Sequence, residues 1–322
     1  MIHTLKSVRH LATATVKHTV SEFQMPVPWG EMRGRIWGPD HGRPVLCIHG
    51  WSDNSGSFNT LIPLLPSDWR CLAIDLPGHG LSSHRPAGAF YSFPYYVADM
   101  RRVIEAVQWK RFSIIGHSMG GNIAGLFCAL YPEMVEAVVL LDSYGFLPAH
   151  MKKINGNLRK GIDEMIEYDK KMDERKERVY TYEAAKERLK AANPSLSDQS
   201  AQVLLERGVQ QVDGGVVFRR DIRINLTNIA RMDVEQSLYL QEQIKAKVLV
   251  LRASQGLLKI FPQPKDLYSR LQKGWEATGS TIVTVEGDHH VHLNDPAVVA
   301  PVITDFLQSV APENASSQAA KL

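Results

Sequence analysis

The 322-residue sequence has only three cysteines, no long hydrophobic run and almost no excess of charge. Cys47, Cys71 and Cys128 each lie within an apolar segment, so we expect buried free thiols and neither a disulfide framework nor a metal-binding set. No apolar run reaches the roughly 18 residues of a membrane-spanning helix, which predicts a chain without a membrane span. A formal net charge of +3 gives no indication of a nucleic-acid partner.

Both ends of the chain have the composition of flexible tails. Residues 1–19 are basic and contain no acidic residue, which is typical of a mitochondrial presequence or of a solvated basic tail. The polar tail 311–322 ends in Ala320, Lys321 and Leu322, and this tripeptide differs from the peroxisomal S-K-L signal only by Ala for Ser. We therefore predict a peroxisomal location with an import receptor as partner. The cytoplasm is the first alternative and the mitochondrion the second.

Between the tails, short continuous apolar runs such as PVLCIHG and RFSIIGHS alternate with segments that are apolar at helical spacing. Such runs are typical of strands buried on both faces of a parallel sheet, and their alternation with helices indicates βαβ units. Residues 20–145 and 239–310 are therefore predicted to form one α/β core. Residues 146–238 are charged, amphipathic and helical in pattern, which predicts a helical cap inserted into that core.

One short motif follows a predicted strand and precedes a predicted helix: Gly116-His117-Ser118-Met119-Gly120. In this context G-x-S-x-G is a nucleophile elbow, whose glycines permit a tight turn that presents the serine hydroxyl at the edge of the sheet. Free N–H groups at the start of the helix favour developing negative charge there. We predict Ser118 as the nucleophile and Gly116 and Gly120 as the elbow glycines.

A second motif, His49-Gly50-Trp51, ends an earlier predicted strand. Acyl transfer needs two backbone N–H groups directed at the oxyanion of the tetrahedral intermediate, and a turn at this place supplies one of them in related sites. The backbone N–H groups of Trp51 and Met119 are predicted as the two donors. The alternative is a tight turn with a buried tryptophan side chain.

Three histidines crowd the loop after the last predicted strand, in the stretch VEGDHHVHLNDP. One of them is expected to be the general base that takes the proton from the serine. His289 is favoured because it follows the closing Gly287 with one residue between. His292 is the alternative, and His290 is expected to point away. A zinc site competes with this interpretation, but the histidines lack cysteine partners and a matching pair elsewhere, so we predict no metal and no cofactor.

These motifs together resemble the α/β-hydrolase superfamily, and more narrowly the animal serine hydrolase-like, or Kraken-like, proteins. The resemblance is carried by the His-Gly-Trp turn, the segment DLPGHGLSS at 75–83, the GHSMGG elbow and the Gly-x-His…Pro ending. It covers the chain from about 20 to 309. It implies a mostly parallel eight-stranded sheet flanked by helices, a helical cap, and a serine-dependent hydrolase.

The carboxylate partner of the histidine is absent from the place where many members of this superfamily carry it. Residues 252–265, the loop after the predicted seventh strand, contain no Asp or Glu. Asp142 at the end of the sixth strand keeps the chain order of serine, acid and histidine. We predict that Asp142 hydrogen-bonds the far imidazole nitrogen of His289. The alternative is a turn-forming aspartate at a strand exit.

The predicted function is hydrolysis of an ester or thioester of a small-molecule acyl substrate through an acyl-enzyme on Ser118. Serine at the elbow, where epoxide hydrolases and haloalkane dehalogenases carry aspartate, argues against those activities. Two alternatives stay open. One is a carbon–carbon bond hydrolase, and the other is a non-catalytic binding protein of the same fold with a degraded triad.

Overall fold

The computed structural model describes residues 19–172, 174, 177–260 and 265–310. The predicted import tripeptide Ala320, Lys321 and Leu322, the rest of the predicted tail 311–322 and nearly all of the predicted tail 1–19 lie outside the described residues. In the described part of the chain, no helix combines the length and the hydropathy that crossing a membrane requires.

Ten strands and ten α-helices make up the regular structure of these residues. The strands are β1 (Val20–Val27), β2 (Gly30–Trp37), β3 (Arg43–Ile48), β4 (Trp69–Ile74), β5 (Phe112–His117), β6 (Val135–Leu141), β7 (Val209–Val212), β8 (Gly215–Phe218), β9 (Lys247–Gln255) and β10 (Thr281–Asp288). The helices are α1 (Phe93–Val107), α2 (Met119–Leu130), α3 (Met151–Lys170), α4 (Tyr182–Ala192), α5 (Asp198–Gly208), α6 (Val234–Glu242), α7 (Leu257–Ile260), α8 (Lys265–Ala277), α9 (Val291–Asn294) and α10 (Pro296–Ser309). Short 3-10 helices span Ser55–Phe58, Ile62–Leu64 and Ile222–Asn225.

Eight strands form one sheet in the order β1-β2-β4-β3-β5-β6-β9-β10. β1 pairs antiparallel with β2, and β2 antiparallel with β4. From β4 to β10 every neighbouring pair is parallel. This arrangement confirms the predicted eight-stranded, mostly parallel sheet, and it places the carboxyl ends of the parallel strands at one edge.

The register of the central strands sorts their apolar side chains into two cores. Because successive side chains of a strand point to opposite faces, neighbouring cross-strand rows belong to different sides of the sheet. One row packs under α1, α2 and α8, and consists of Leu46, Ile114, Val138 and Val248. The next row packs under α10 and the 3-10 helices after β3, and consists of Cys47, Ile115, Val139 and Leu249. Cys47, Cys71 and Cys128 are buried free thiols, as predicted.

Residues 146–238, called here the 146–238 segment, lie between β6 and β9 and hold α3, α4, α5, the 3-10 helix Ile222–Asn225 and the start of α6. The segment also contains the hairpin β7–β8, which the helical pattern did not indicate. Val212 pairs with Gly215 across the two-residue turn Asp213-Gly214, and Gly214 has φ +82°. Asp-Gly between alternating valines is a known hairpin signal, so this element was detectable in the sequence.

Candidate active site

Ser118 occupies the sharp turn between β5 and α2. Its backbone has φ 51° and ψ −114°, a conformation that costs energy for a residue with a side chain and recurs at functional sites. A Cβ atom added at Gly116 would meet the Gly120 carbonyl oxygen at 2.6 Å, and one added at Gly120 would clash with the Ile48 carbonyl oxygen. The turn therefore requires glycine at both positions, in agreement with the elbow motif.

A continuous chain of hydrogen bonds joins Ser118, His289 and Asp142. The Ser118 Oγ atom lies 2.9 Å from His289 Nε2, and the Asp142 Oδ2 atom lies 2.6 Å from His289 Nδ1. His289 and Asp142 are buried, whereas Ser118 is partly exposed. A carboxylate that accepts the Nδ1–H bond fixes the tautomer in which Nε2 is an acceptor for the serine proton.

Residues 253–257, from the end of β9 to the start of α7 within the predicted loop 252–265, surround Asp142. Asp142 Oδ1 accepts a hydrogen bond from the backbone N–H of Ala253 at 3.0 Å, and Oδ2 accepts one from that of Leu257 at 2.6 Å. Gly256 lies so close that a Cβ atom there would overlap the carboxylate. The loop without an acidic residue thus holds an acidic residue from the neighbouring strand, and its N–H groups give that carboxylate the partners that a buried charge needs.

The two backbone N–H groups predicted as oxyanion donors have no protein acceptor in the described part of the chain. Within the described residues, neither the N–H of Met119 at the start of α2 nor that of Trp51 after β3 donates a hydrogen bond. The first N–H groups of a helix have no intrahelical partner, which leaves them free for a ligand. The Trp51 indole N–H donates to the carbonyl of Ile224 at 3.1 Å, and its side chain is 47% exposed, so this residue is not the buried tryptophan of the alternative interpretation.

The other two loop histidines face away from the serine. His290 Nε2 lies 3.3 Å from Asp53 Oδ2. His292 is fully buried, and its ring centroid lies 4.1 Å from that of His117. His117, the second residue of the elbow motif, donates from Nε2 to the backbone carbonyl of His289 at 2.7 Å. Through this hydrogen bond, His117 holds the backbone of His289 in position.

The Asp53–His290 contact is a buried ion pair. Burial raises the pKa of Asp53, but His290 and His117 outweigh it and hold that pKa well below the usual 3.8. Burial likewise lowers the pKa of His290, but the Asp53 carboxylate holds it above the usual 6.5. Burial lowers the pKa of His117 to about 4, which keeps this ring neutral.

Asp53, His117 and His290 are also the one group of possible metal ligands found within the described residues, with ligand atoms within 4.8 Å of one another. A carboxylate with two imidazoles suits a divalent transition metal. The His290 ring, whose Nε2 lies 3.3 Å from Asp53 Oδ2, gives the same carboxylate a partner without a metal. The sequence did not indicate this set, because Asp53 follows β3 and His117 ends β5, both distant in the chain from the three clustered histidines.

Comparisons with known proteins agree with this geometry. Residues 43–209 match the family model of the alpha/beta hydrolase fold. A curated relative from Danio rerio, named serine hydrolase-like protein, is 64% identical over 318 residues, which cover 99% of this chain and 98% of that protein. The chain belongs to the α/β-hydrolase fold family.

Solved structures of α/β hydrolases extend the likeness to the full architecture. A hypothetical protein from Pseudomonas aeruginosa PAO1 has a TM-score of 0.79 at 30% identity, with 89% of this chain and 99% of that chain covered. The thioesterase domain from the curacin biosynthetic pathway has a TM-score of 0.74 at 25% identity, covering 88% and 99%. The predicted superfamily and its narrower serine hydrolase-like group are thereby confirmed.

Proposed function

We propose that this α/β hydrolase cleaves an ester or thioester of a small acyl substrate through an acyl-enzyme on Ser118. The observation that carries the proposal is the hydrogen-bonded chain from Ser118 through His289 to Asp142, with distances of 2.9 and 2.6 Å. A serine activated by an adjacent base that is itself oriented by a third group is the general signature of nucleophilic catalysis.

In the proposed first half-reaction, His289 Nε2 takes the proton of Ser118 as Oγ attacks the acyl carbon. The N–H groups of Trp51 and Met119 receive the negative charge that develops on the acyl oxygen. The protonated His289 then gives its proton to the departing alcohol or thiol. In the second half-reaction, His289 takes a proton from water as that water attacks the acyl carbon. The bond between the acyl carbon and Ser118 Oγ then breaks, His289 returns the proton to Oγ, and a carboxylic acid is released.

The non-catalytic alternative rested on the missing acid in the loop after β9. The contacts of Asp142 weaken that alternative, because Ala253 and Leu257 direct their N–H groups at its carboxylate. A degraded triad has no need of a loop that positions a carboxylate against His289. The thioesterase named among the structural neighbours supports the inclusion of thioesters among the substrates.

We assign the role of a cap to the 146–238 segment. It contacts the loop after β3 through hydrogen bonds: the Trp51 indole donates to the carbonyl of Ile224, and Asn54 Nδ2 donates to the carbonyl of Leu204 in α5 at 2.8 Å. Since Trp51 is one of the proposed oxyanion donors, a segment seated on this loop is placed to select the substrate.

The test combines labelling by a fluorophosphonate with turnover of a chromogenic ester and of an acyl thioester. The wild-type protein should be labelled and active. Ser118→Ala should abolish labelling, and His289→Ala and Asp142→Asn should each lower kcat by about 10⁴-fold or more. Ser309→Ala, an exposed serine at the end of α10, is the matched control and should behave as wild type. Absence of labelling in the wild-type protein would exclude the proposed activity, and full turnover in Asp142→Asn would exclude the role of Asp142.

A further inference from the structure

A groove of about 760 Å³ lies between the 146–238 segment and the loop after β4. The segment contributes residues from α3, the hairpin β7–β8 and the 3-10 helix Ile222–Asn225, and the core contributes Gly80, Ser82, His84 and Ala87. This volume is in the range of pockets that hold ligands of the size of a cofactor. Its lining carries far more positive than negative charge.

The charge comes from four arginines of the segment. In the described part of the chain, Arg178, Arg188, Arg219 and Arg220 have no carboxylate within 4.0 Å. Most other arginines there are paired, including Arg223 in the same groove, whose guanidinium binds Asp221 at 2.7 Å. Glu177 is a further acid of the lining. The groove thus keeps an uncompensated positive charge.

The positive charges of Arg188 and Arg220 are close enough to repel each other. Burial lowers the pKa of Arg220, and the Arg188 charge lowers it further. Like charges held together in a partly buried groove cost free energy, which a bound anion offsets. The guanidinium group of arginine carries its N–H donors in a fork that matches the oxygen atoms of a phosphate.

The groove begins beside the proposed oxyanion donor. The Arg220 guanidinium donates to Ser52 Oγ and lies 5.9 Å from the centroid of the Trp51 ring. Ile224, which accepts the Trp51 indole hydrogen bond, belongs to the 3-10 helix that lines the groove. Arg220 therefore joins the arginine-lined groove to the side chain of Trp51.

Aromatic side chains complete the lining. Tyr168, Tyr180 and Phe218 face the groove, and the Arg178 and Arg188 guanidinium groups lie over the Tyr180 ring at 5.1 and 5.8 Å. Aromatic and guanidinium planes are the surfaces on which a nucleobase stacks. A groove that offers both N–H donors for phosphate and flat surfaces for stacking has the features that bind a nucleotide.

We propose that this groove binds the phosphate groups of the leaving group, and that the substrate is the acyl thioester of a nucleotide-linked thiol of the coenzyme A class. The inference rests on the proposed hydrolase function. The reaction is balanced by water alone: Ser118 Oγ bonds to the acyl carbon as the C–S bond breaks, His289 protonates the thiolate, and water then releases the acid. The arginines hold the phosphates and take no part in the bond changes.

The kinetic test compares two thioesters with the same acyl chain, one of coenzyme A and one of N-acetylcysteamine, which has no phosphate. The wild-type protein should show a kcat/KM at least about tenfold higher for the coenzyme A thioester, since only that thioester offers phosphates as charged hydrogen-bond partners for the arginines. The double variant Arg178→Gln/Arg188→Gln should lose about 10- to 100-fold on that thioester and much less on the other. Added NaCl should reduce the ratio of the two kcat/KM values, because salt screens the charges of the arginines and the phosphates. Arg101→Gln, an arginine of α1 paired with Glu105, is the control and should change neither value.

A binding test separates this proposal from the hydrolase proposal. Calorimetry of coenzyme A with Ser118→Ala needs no turnover, and the affinity should fall at least tenfold when the two arginine substitutions are added. Equal kcat/KM for the two thioesters in an active wild-type protein, or equal losses on both in the double variant, would overturn the leaving-group assignment. Inorganic phosphate bound as tightly as coenzyme A would overturn it too. An unlabelled, inactive wild-type protein that still binds coenzyme A through these arginines would refute the hydrolase and leave a nucleotide-binding groove.

Discussion

The core and the 146–238 segment differ in how deeply their strands and helices are buried. β5, which leads to Ser118, is buried along its whole length, whereas Gly161 and Met165 are the buried residues of the 20-residue helix α3. Reacting groups need positions held to a fraction of an ångström, which strands within a sheet provide. The charged residues of α3, by contrast, are exposed to solvent except for the half-buried Glu164.

Arg207 shows how the two regions are joined. It comes from α5 of the segment, is buried, and binds Asp75 of the core at 2.8 Å and Glu22 of β1 at 2.8 Å. Asp75 also accepts hydrogen bonds from the backbone N–H groups of Ser55 and Leu81. The contact is therefore a buried charge network between two regions that otherwise differ in how deeply their residues are buried.

The largest expected effect belongs to Arg207→Ala. Removing one partner of a buried ion pair leaves Asp75 with an uncompensated charge, which should lower the free energy of unfolding by about 3–5 kcal/mol. Urea denaturation measures the loss. Arg159→Ala removes the exposed Arg159–Asp163 pair on α3, and it should cost under about 1 kcal/mol. Equal costs for the two variants would contradict the view that Arg207 links the segment to the core.

A smaller and more local effect is expected from Gly256→Ala. The new Cβ atom overlaps the Asp142 carboxylate, so Asp142 or the loop must move and His289 loses its orientation. A displacement of about 1 Å at a reacting group can cost about 100-fold in rate, and we expect that loss in kcat/KM for the chromogenic ester.

The control for this substitution lies in the segment. Gly156 in α3 has nothing within 4 Å of an added Cβ atom, so Gly156→Ala should leave the rate unchanged and stabilise the helix by about 0.5–1 kcal/mol. A Gly256→Ala variant as active as Gly156→Ala would show that the loop after β9 does not position Asp142.

The smallest effect, and the one that depends on pH, is expected from Asp53→Asn. His290 has a raised pKa, so its pairing with Asp53 stabilises the fold fully below pH 6.5 and is lost as the pH rises through that raised value. Asp53 has a lowered pKa, so its contribution is present above pH 3.8 and is lost only at lower pH. The other titratable groups that interact with this pair are Asp142, Asp288, His49, His79, His117 and His292.

Asp53→Asn should therefore cost about 1–2 kcal/mol more at pH 6 than at pH 9, as measured by urea denaturation at both values. A cost that grows with pH would mean that His290 is neutral in the folded protein. Binding of Zn²⁺ by the wild-type protein and not by Asp53→Asn would instead assign Asp53, His117 and His290 to a metal.

Local patterns in the sequence predicted most of the fold. Continuous apolar runs identified the strands of the parallel sheet, and the strand–glycine–serine–helix context identified the turn at Ser118. These signals span a few residues and follow from burial on two faces and from the steric limits of a tight turn, so neighbouring residues suffice to specify them. The hairpin β7–β8 had such a signal in Asp213-Gly214, but the charged helices around it obscured its pattern.

The partner of His289 could be predicted only in part. The order of serine, acid and histidine indicated Asp142, and the structure places its Oδ2 atom 2.6 Å from His289 Nδ1. The N–H groups of Ala253 and Leu257 that hold Asp142 have no side-chain signature, because a backbone donor is present in every residue but proline. The pairing of Asp53 with His290 had no signal either, since more than two hundred residues separate them along the chain.

By itself, the sequence determined the strands of the parallel sheet and which serine stands at the elbow, because those features depend on short-range periodicity and steric fit. Only the tertiary structure decided which carboxylate meets His289, which arginines gather beside Trp51, and which of three adjacent histidines faces the serine. These contacts join strand ends and loops from distant parts of the chain, and the twist and order of the sheet bring them to one edge.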